Sequence, residues 1–253
     1  MPTEKTSAII LRVVEFSETS CVVTLFTETV GKIGALAKGA RRPKSPFESA
    51  IDLLAVCRIL FIHKSSDALD LLTEAKLERR FRAATRDLSR LYAGYYVAEL
   101  LRDLTDYGDP HPALYRVADH TLAKLDGEAS VAETVLRFEV MTLHLLGFLP
   151  NLETCVICGQ PAAPADRVLF GHEAAGVLCG TCRPGQQQVV SLSRGVLEAL
   201  RQASEPETEG SLATLDRRLW GELRGLLHRY LTNLLGRPPR MHKYLAPLMA
   251  PSS

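Results

Sequence analysis

The hydrophobic pattern of this 253-residue chain changes once, close to Arg82. Before that point the apolar residues stand in short runs rich in β-branched side chains, a composition typical of strands. After it, apolar residues recur with the 3.6-residue period of a helix. The pattern therefore predicts an α+β protein in which a β-rich region precedes a helical region.

The region before Arg82 contains five candidate strands. Two apolar runs, at 9–14 and 21–26, are followed by segments at 32–38, 51–63 and 69–74. Five short strands in about 75 residues predict a small closed barrel. An OB-type barrel, which often binds single-stranded nucleic acid, fits this count, but an SH3-like barrel would leave a similar sequence trace.

The remainder of the chain is predicted to be helical. Helical spacing covers residues 88–104 and 114–125, and Ser130 with Glu133 forms a capping box for a third, largely apolar helix that ends near Gly147. Ser193 is expected to cap a short helix to Ala203, residues 204–211 to form a linker, and 212–235 to form the last helix. We expect an OB-type domain at 1–80 and a helical domain at 81–253.

Four of the six cysteines form two C-x-x-C pairs with 20 residues between them. Cys155 and Cys158 form the first pair, and Cys179 and Cys182 form the second. This spacing is typical of a four-thiolate zinc site, in which protein ligands fill all four positions of Zn²⁺ and leave none for a substrate. A structural zinc ion is therefore predicted within 152–185, and Gly159 and Gly180 are expected to ease the turns through positive φ.

Other uses of these cysteines explain the pattern less well. A redox dithiol accounts for one C-x-x-C but not for a matched pair. A deaminase zinc site needs H-x-E and Pro-Cys-x-x-Cys, whereas here His172 is followed directly by Glu173 and Leu178 precedes Cys179. The two remaining cysteines, Cys21 and Cys57, lie in apolar strand segments and are assigned to the core.

A basic segment without acidic residues runs from residue 31 to 46. Its five cations are Lys32, Lys38, Arg41, Arg42 and Lys44. Such residues neutralise phosphates, and a basic loop between barrel strands is suited to nucleic acid, although many charge runs are simply solvated. Four phenylalanines are candidates for base stacking as well as for the core, namely Phe16, Phe26, Phe47 and Phe61.

Composition limits the remaining function classes. The net charge is only +1, so a nucleic acid must be bound by a local basic surface. No secretory signal or membrane-spanning run is visible, which predicts a cytoplasmic protein without a membrane partner. Neither a P-loop, nor H-E-x-x-H, nor G-x-S-x-G occurs. We therefore expect a binding protein rather than an enzyme.

Three segments together resemble the RecO family of recombination mediators. The first is Gly31-Lys32 followed by the Lys-Gly-Ala-Arg-Arg-Pro-Lys-Ser run at 38–45. The second is the Tyr-Tyr-Val-Ala-Glu-Leu-Leu run at 95–101, and the third is the stretch from Phe138-Glu139 through Leu146-Gly147-Phe148 to the first cysteine pair and Gly159. The resemblance implies an OB barrel, a helical domain with an inserted zinc segment, DNA contacts on Lys38, Arg41, Arg42 and Lys44, and zinc on the four cysteines.

The same resemblance implies a bacterial role in DNA repair, with association to the nucleoid. Members of the family bind single- and double-stranded DNA and anneal complementary strands. They act with RecR and single-stranded DNA-binding protein to help load RecA, which makes RecA an indirect partner. Two alternatives from other classes remain, a zinc-ribbon RNA-processing factor and a dithiol oxidoreductase.

Overall fold

The structure, a computed structural model, describes residues 3–45, 47, 50–64, 68–162, 165–205, 212 and 215–245. Its contacts divide the chain into two compact units, Met1–Ala129 and Ser130–Ser253. The barrel therefore shares a unit with the first two helices. The boundary predicted at residue 80 stays a prediction.

Five strands form the barrel of the first unit. They are β1 Thr3–Glu15, β2 Cys21–Thr27, β3 Gly31–Ala37, β4 Val56–Ile62 and β5 Asp70–Arg79. They pair in the order β1-β2-β3-β5-β4, and β4 returns to β1, so the pairing forms a ring. The β3–β5 seam is the short one, with three parallel residue pairs. This arrangement supports the OB-type prediction and not merely a generic strand-rich region.

The first strand is long enough to pair with two different strands of the barrel. Residues 3–9 of β1 pair with β4, and residues 8–15 pair with β2. A register shift between Ile10 and Arg12 marks a bulge, which bends the strand where it changes partners. Beyond the bulge, residues 12–15 are exposed and project past the buried part of the barrel.

Two helices complete the first unit, α1 Leu88–Leu104 and α2 Pro112–Asp126. Gly94 lets α1 approach the barrel closely, because a Cβ there would lie 2.6 Å from Leu54. The loop between the helices packs on the start of β3, where Gly108 N–H donates to the Lys32 carbonyl at 3.0 Å. Phe26 of β2 packs on Tyr115 of α2, and their ring centroids are 6.3 Å apart.

The second unit combines helices with a small antiparallel sheet. Its helices are α3 Val131–Leu145, α4 Arg194–Ser204, α5 Arg217–Leu235 and α6 His242–Leu245. Its strands are β6 Arg167–Gly171, β7 Gly176–Leu178 and β8 Val189–Ser193, in the order β7-β6-β8. Glu139 of the buried helix α3 pairs with Arg224 of α5 at 2.5 Å. No described helix is both long and apolar enough to span a membrane.

Several sequence predictions need correction in detail. Strand β4 begins at Val56 and not at residue 51. Ser130 caps α3 as expected, but the Ser193 side chain does not cap α4; its hydroxyl bonds Glu222 at 3.1 Å. The three strands of the cysteine-bearing region were not predicted. The last helix begins at Arg217, and most of the linker expected at 204–211 lies outside the described residues.

Candidate metal centre and nucleic-acid interface

The four predicted ligands lie together in the second unit. The sulfur atoms of Cys155, Cys158, Cys179 and Cys182 are all within 4.8 Å of one another. A tetrahedral zinc ion with Zn–S bonds of about 2.3 Å separates its sulfurs by about 3.8 Å. The Sγ atoms of Cys158 and Cys179 are 3.7 Å apart, close to that edge length. The donor set and its size therefore fit zinc.

Backbone pairing with β7 positions the first cysteine pair. Val156 N–H donates to the Val177 carbonyl at 3.1 Å, and Val177 N–H donates to the Asn151 carbonyl at 2.9 Å. Because Cys179 directly follows β7, this pairing places both cysteine pairs at one end of the strand. The Asn151 side-chain oxygen accepts hydrogen bonds from the backbone N–H groups of Glu153 and Thr154. These bonds stabilise the turn before Cys155.

The two C-x-x-C turns use glycine differently. Gly159 follows Cys158, has φ +73°, and donates its N–H to the Cys155 carbonyl at 2.8 Å, as expected for this position. Gly180 was also expected to adopt a positive φ, and that expectation was wrong. It follows the first cysteine of its pair and not the second, so it lies inside the turn where an ordinary backbone conformation suffices.

The thiols of the cluster are electrostatically inequivalent. Burial opposes ionisation of Cys155, but hydrogen bonds from the Cys158, Cys179 and Ile157 backbones lower its pKa to about 6. The Cys182 backbone lowers the pKa of Cys179, whereas the thiol of Cys179 raises the pKa of Cys182 to about 12. Four thiolates this close require a cation between them, which is the electrostatic condition of a Cys₄ metal site.

The basic residues lie in the first unit, in the loop that leaves β3. Gly39, at φ +70°, opens a turn closed by the Arg42 N–H to the Gly39 carbonyl at 3.0 Å. A second turn follows, with Ser45 N–H donating to the Arg42 carbonyl at 3.2 Å. Lys44 adopts φ +61° within it. The loop has a defined shape that keeps its cations on the surface.

Four of the five predicted DNA contacts are exposed on this loop, namely Lys38, Arg41, Arg42 and Lys44. Arg41 pairs with Glu15 at 3.0 Å, and both side chains are well exposed. Among the described residues, this is the ion pair that engages the loop. The other three cations lack a carboxylate partner within that part of the chain, so their charge is available to a ligand.

Lys32 does not belong to this surface. It is 5% exposed, and its ammonium group donates to the Arg102 carbonyl at 2.6 Å and to the Thr105 carbonyl. It also lies 4.8 Å from the centroid of the Tyr107 ring. Burial lowers the pKa of Lys32, and the nearby Asp106 and Asp103 oppose that shift. Lys32 therefore binds the carboxyl end of α1 and is not placed to contact a phosphate.

The four phenylalanines differ in the exposure of their side chains. Phe47 and Phe61 are buried in the barrel core, and Phe26 is buried on the outer face of the sheet against Tyr115 of α2. Phe16, in contrast, is 65% exposed. Residue 16 directly follows β1, at a turn between strands, and that position is the sequence signal which distinguishes it. The two other buried cysteines of the barrel, Cys21 and Cys57, lie in the core as predicted.

Comparison with known proteins supplies the family. The family model described as recombination protein O, N terminal, matches residues 1–81, and its C-terminal counterpart matches 85–243. The chain belongs to the RecO family. A DNA repair protein RecO of Rhodopirellula baltica is 45% identical, over 94% of this chain and 97% of the relative.

More distant RecO relatives cover as much of the chain. The DNA repair protein RecO of Anaeromyxobacter dehalogenans is 31% identical over 95% of both sequences. That of Myxococcus xanthus is 29% identical over 94% of this chain and 95% of the relative. The match to the RecO family thus extends through the barrel, the helices and the cysteine-bearing region.

Proposed function

We propose that this chain is a recombination mediator in DNA repair that binds single- and double-stranded DNA through the basic loop Lys38–Lys44. The observation that supports this most directly is a shaped, exposed loop with four cations, three of them without a carboxylate partner among the described residues. Membership in a family whose members are named DNA repair proteins supports the biological setting.

The proposed action uses electrostatics and not bond chemistry. Each cation that neutralises a phosphate releases a condensed counterion, which favours binding and makes affinity fall with salt. Two strands bound near such a surface also repel each other less, so annealing of complementary strands follows from the same charges. In this role the chain acts on the bacterial nucleoid with RecR and single-stranded DNA-binding protein, and helps to load RecA.

Zinc has a structural part in this proposal. Cys155, Cys158, Cys179 and Cys182 would supply all four ligands, and a closed Cys₄ site leaves no position for a substrate. The ion would fix the turns around β6 and β7. Metal analysis of the purified protein should give one zinc per chain.

A salt series of DNA binding tests the proposed interface. Fluorescence anisotropy of a labelled single-stranded oligonucleotide is measured for the wild type and for Arg41→Ala/Arg42→Ala/Lys44→Ala. The triple variant should bind more weakly, and the slope of log K against log [salt] should fall by about two units, roughly 0.7 for each lost phosphate contact on a single strand.

Two exposed arginines at the start of α5 provide a control in the second unit. Arg217→Ala/Arg218→Ala removes two exposed cations of α5 in the second unit, so it changes net charge without touching the loop. It should leave affinity within about twofold and the salt slope unchanged. The proposal fails if the wild type does not bind DNA, or if the loop variant binds as tightly as the control. A competing RNA strand of the same sequence that binds better would favour the RNA-processing alternative.

A further inference from the structure

An exposed aromatic ring stands beside the basic loop. Phe16 begins the turn between β1 and β2, and its N–H donates to the Ser20 carbonyl at 3.0 Å. Ser17 N–H donates to the same carbonyl at 3.1 Å, and the Ser17 hydroxyl accepts the Ser20 N–H at 3.2 Å. The turn is therefore fixed by its own hydrogen bonds, and Phe16 is presented to solvent on a defined backbone.

Hydrogen bonds join the Phe16 turn to the basic loop. Arg41 N–H donates to the Thr19 carbonyl at 3.0 Å, and Gly39 N–H donates to the Ser20 hydroxyl at 3.3 Å. Phe16 and Arg41 also line one shallow surface depression, together with Glu15, Ser17 and Glu18. A ligand at the loop cations thus has the aromatic ring within reach.

An apolar row leads across the barrel from this corner. Val14, Val22, Leu36 and Leu71 are consecutive partners on four strands, so their side chains share one face of the sheet. All four are partly or fully exposed, while neighbouring positions such as Val23 and Ala35 fill the core. The outer face of the sheet is therefore apolar and accessible at this end.

The other end of the same face is covered. Two residues further along β2 and β3, Gly34 lies close to Leu69 and Tyr107, and beyond it Phe26 packs on Tyr115. The uncovered part is the one next to the basic loop. Its exposure is thus local, and it adjoins the loop cations Lys38, Arg42 and Lys44, which lack a carboxylate partner among the described residues.

The charges around Phe16 indicate which part of a nucleic acid it meets. Glu15 and Glu18 line the depression and repel phosphates, whereas Lys38, Arg42 and Lys44 attract them. A strand whose phosphates follow the loop would turn its bases toward the ring and the apolar row. Aromatic side chains stack on unpaired bases, whose faces are not available in a duplex.

We infer that Phe16 is a base-stacking residue that gives this surface a preference for single-stranded over double-stranded DNA. The inference rests on the proposed function and assigns the selectivity of that surface to one side chain. Stacking engages the face of a base and leaves its pairing edge free, so it is compatible with annealing of a second strand.

An abasic oligonucleotide separates stacking from charge. Affinities of the wild type, Phe16→Ala and Arg42→Ala are measured for a mixed-sequence single strand and for an abasic strand of equal length and phosphate number. Phe16→Ala should weaken binding of the base-containing strand about fivefold, with the salt slope and the abasic affinity unchanged. Arg42→Ala should weaken both strands and lower the slope. Leu88→Ala, which removes another exposed apolar side chain, should change neither.

Fluorescence gives an independent readout. The chain has a single tryptophan, Trp220, which is buried, so Phe16→Trp adds a reporter at the surface. Its emission should be quenched by the base-containing strand and not by the abasic strand. If Phe16→Ala loses equal affinity for both strands, or for neither, the stacking role is wrong while DNA binding stands. If the wild type binds neither strand, the proposed function itself fails.

Discussion

Two lysines of the same basic segment have different surroundings and different roles. The Lys38 side chain is exposed on the loop, whereas the Lys32 ammonium group is buried against carbonyls at the end of α1. A cation at that position satisfies carbonyl groups that the helix itself leaves unbonded, and it interacts favourably with the helix dipole. The residue type predicts the charge of each lysine side chain. Whether that charge binds a carbonyl group of the protein or remains available to DNA depends on whether the side chain is buried.

Replacement of Lys32 should affect stability and not DNA binding. Lys32→Met keeps much of the apolar stem but removes the donor to Arg102 and Thr105, so the free energy of unfolding should fall by about 2 kcal/mol. Lys38→Met is the matched change on the surface. It should leave stability unchanged and lower DNA affinity together with the salt slope. Urea denaturation and the anisotropy salt series measure the two effects, and a Lys32→Met protein of full stability would contradict this assignment.

The residues that could be predicted from the sequence are those whose chemistry fixes their spacing. The four cysteines were identified correctly as a cluster, because two C-x-x-C pairs constrain geometry locally. Lys32 could not be distinguished from the other cations of its segment in this way, and the position of Phe16 after β1 indicates its exposure but not the surface that it joins. The role of Lys32 depends on the packing of Thr105 against β3, and the role of Phe16 depends on its turn lying beside the basic loop. Tertiary packing decides both.

At the scale of elements, the cysteine-bearing region is organised by a strand and not only by its ligands. β7 has three residues and β6 and β8 have five each, too short for a clear alternating pattern in the sequence. The five barrel strands are longer, and β1, β2 and β4 are rich in β-branched residues, so the sequence pattern predicts this part of the fold. Short strands such as β7 are ordered by backbone pairing and by contacts with the cysteine turns. The hydrophobic periodicity of the sequence does not reveal such contacts.

Gly176 should be the most sensitive glycine of this region. A Cβ on Gly176 would lie 2.5 Å from Val156 and 2.7 Å from the Asn151 carbonyl oxygen, so Gly176→Ala must push the first cysteine pair away from β7. We expect destabilisation by about 2 kcal/mol and weaker zinc retention. Thermal unfolding and competition with a chromophoric chelator measure these effects.

Gly180→Ala supplies the control within the same segment. A Cβ there meets nothing within 4 Å, and its φ is not in the left-handed region, so stability and zinc retention should stay near wild type. Equal effects of the two substitutions would mean that the contact between β7 and Val156 does not position the cysteines.

At the scale of the whole molecule, the two proposed sites fall in different compact units. The basic loop and Phe16 belong to Met1–Ala129, and the four cysteines belong to Ser130–Ser253. Sequence periodicity correctly predicted a strand-rich part followed by helices. It could not indicate that α1 and α2 pack with the barrel, because that grouping depends on contacts such as those of Gly94 and Lys32.

Removal of metal should therefore loosen one part of the chain selectively. A chelator that strips zinc leaves four close thiols without their shared cation, so amides of β6, β7 and the cysteine turns should exchange hydrogen faster. Amides of β1 to β5 should keep their protection, because their hydrogen bonds lie within the barrel. Hydrogen exchange with mass spectrometry of the full chain, before and after chelation and again after zinc is restored, measures both parts. Uniform loosening would show that the metal supports the whole fold, and no change anywhere would show that backbone pairing alone maintains the cysteine turns.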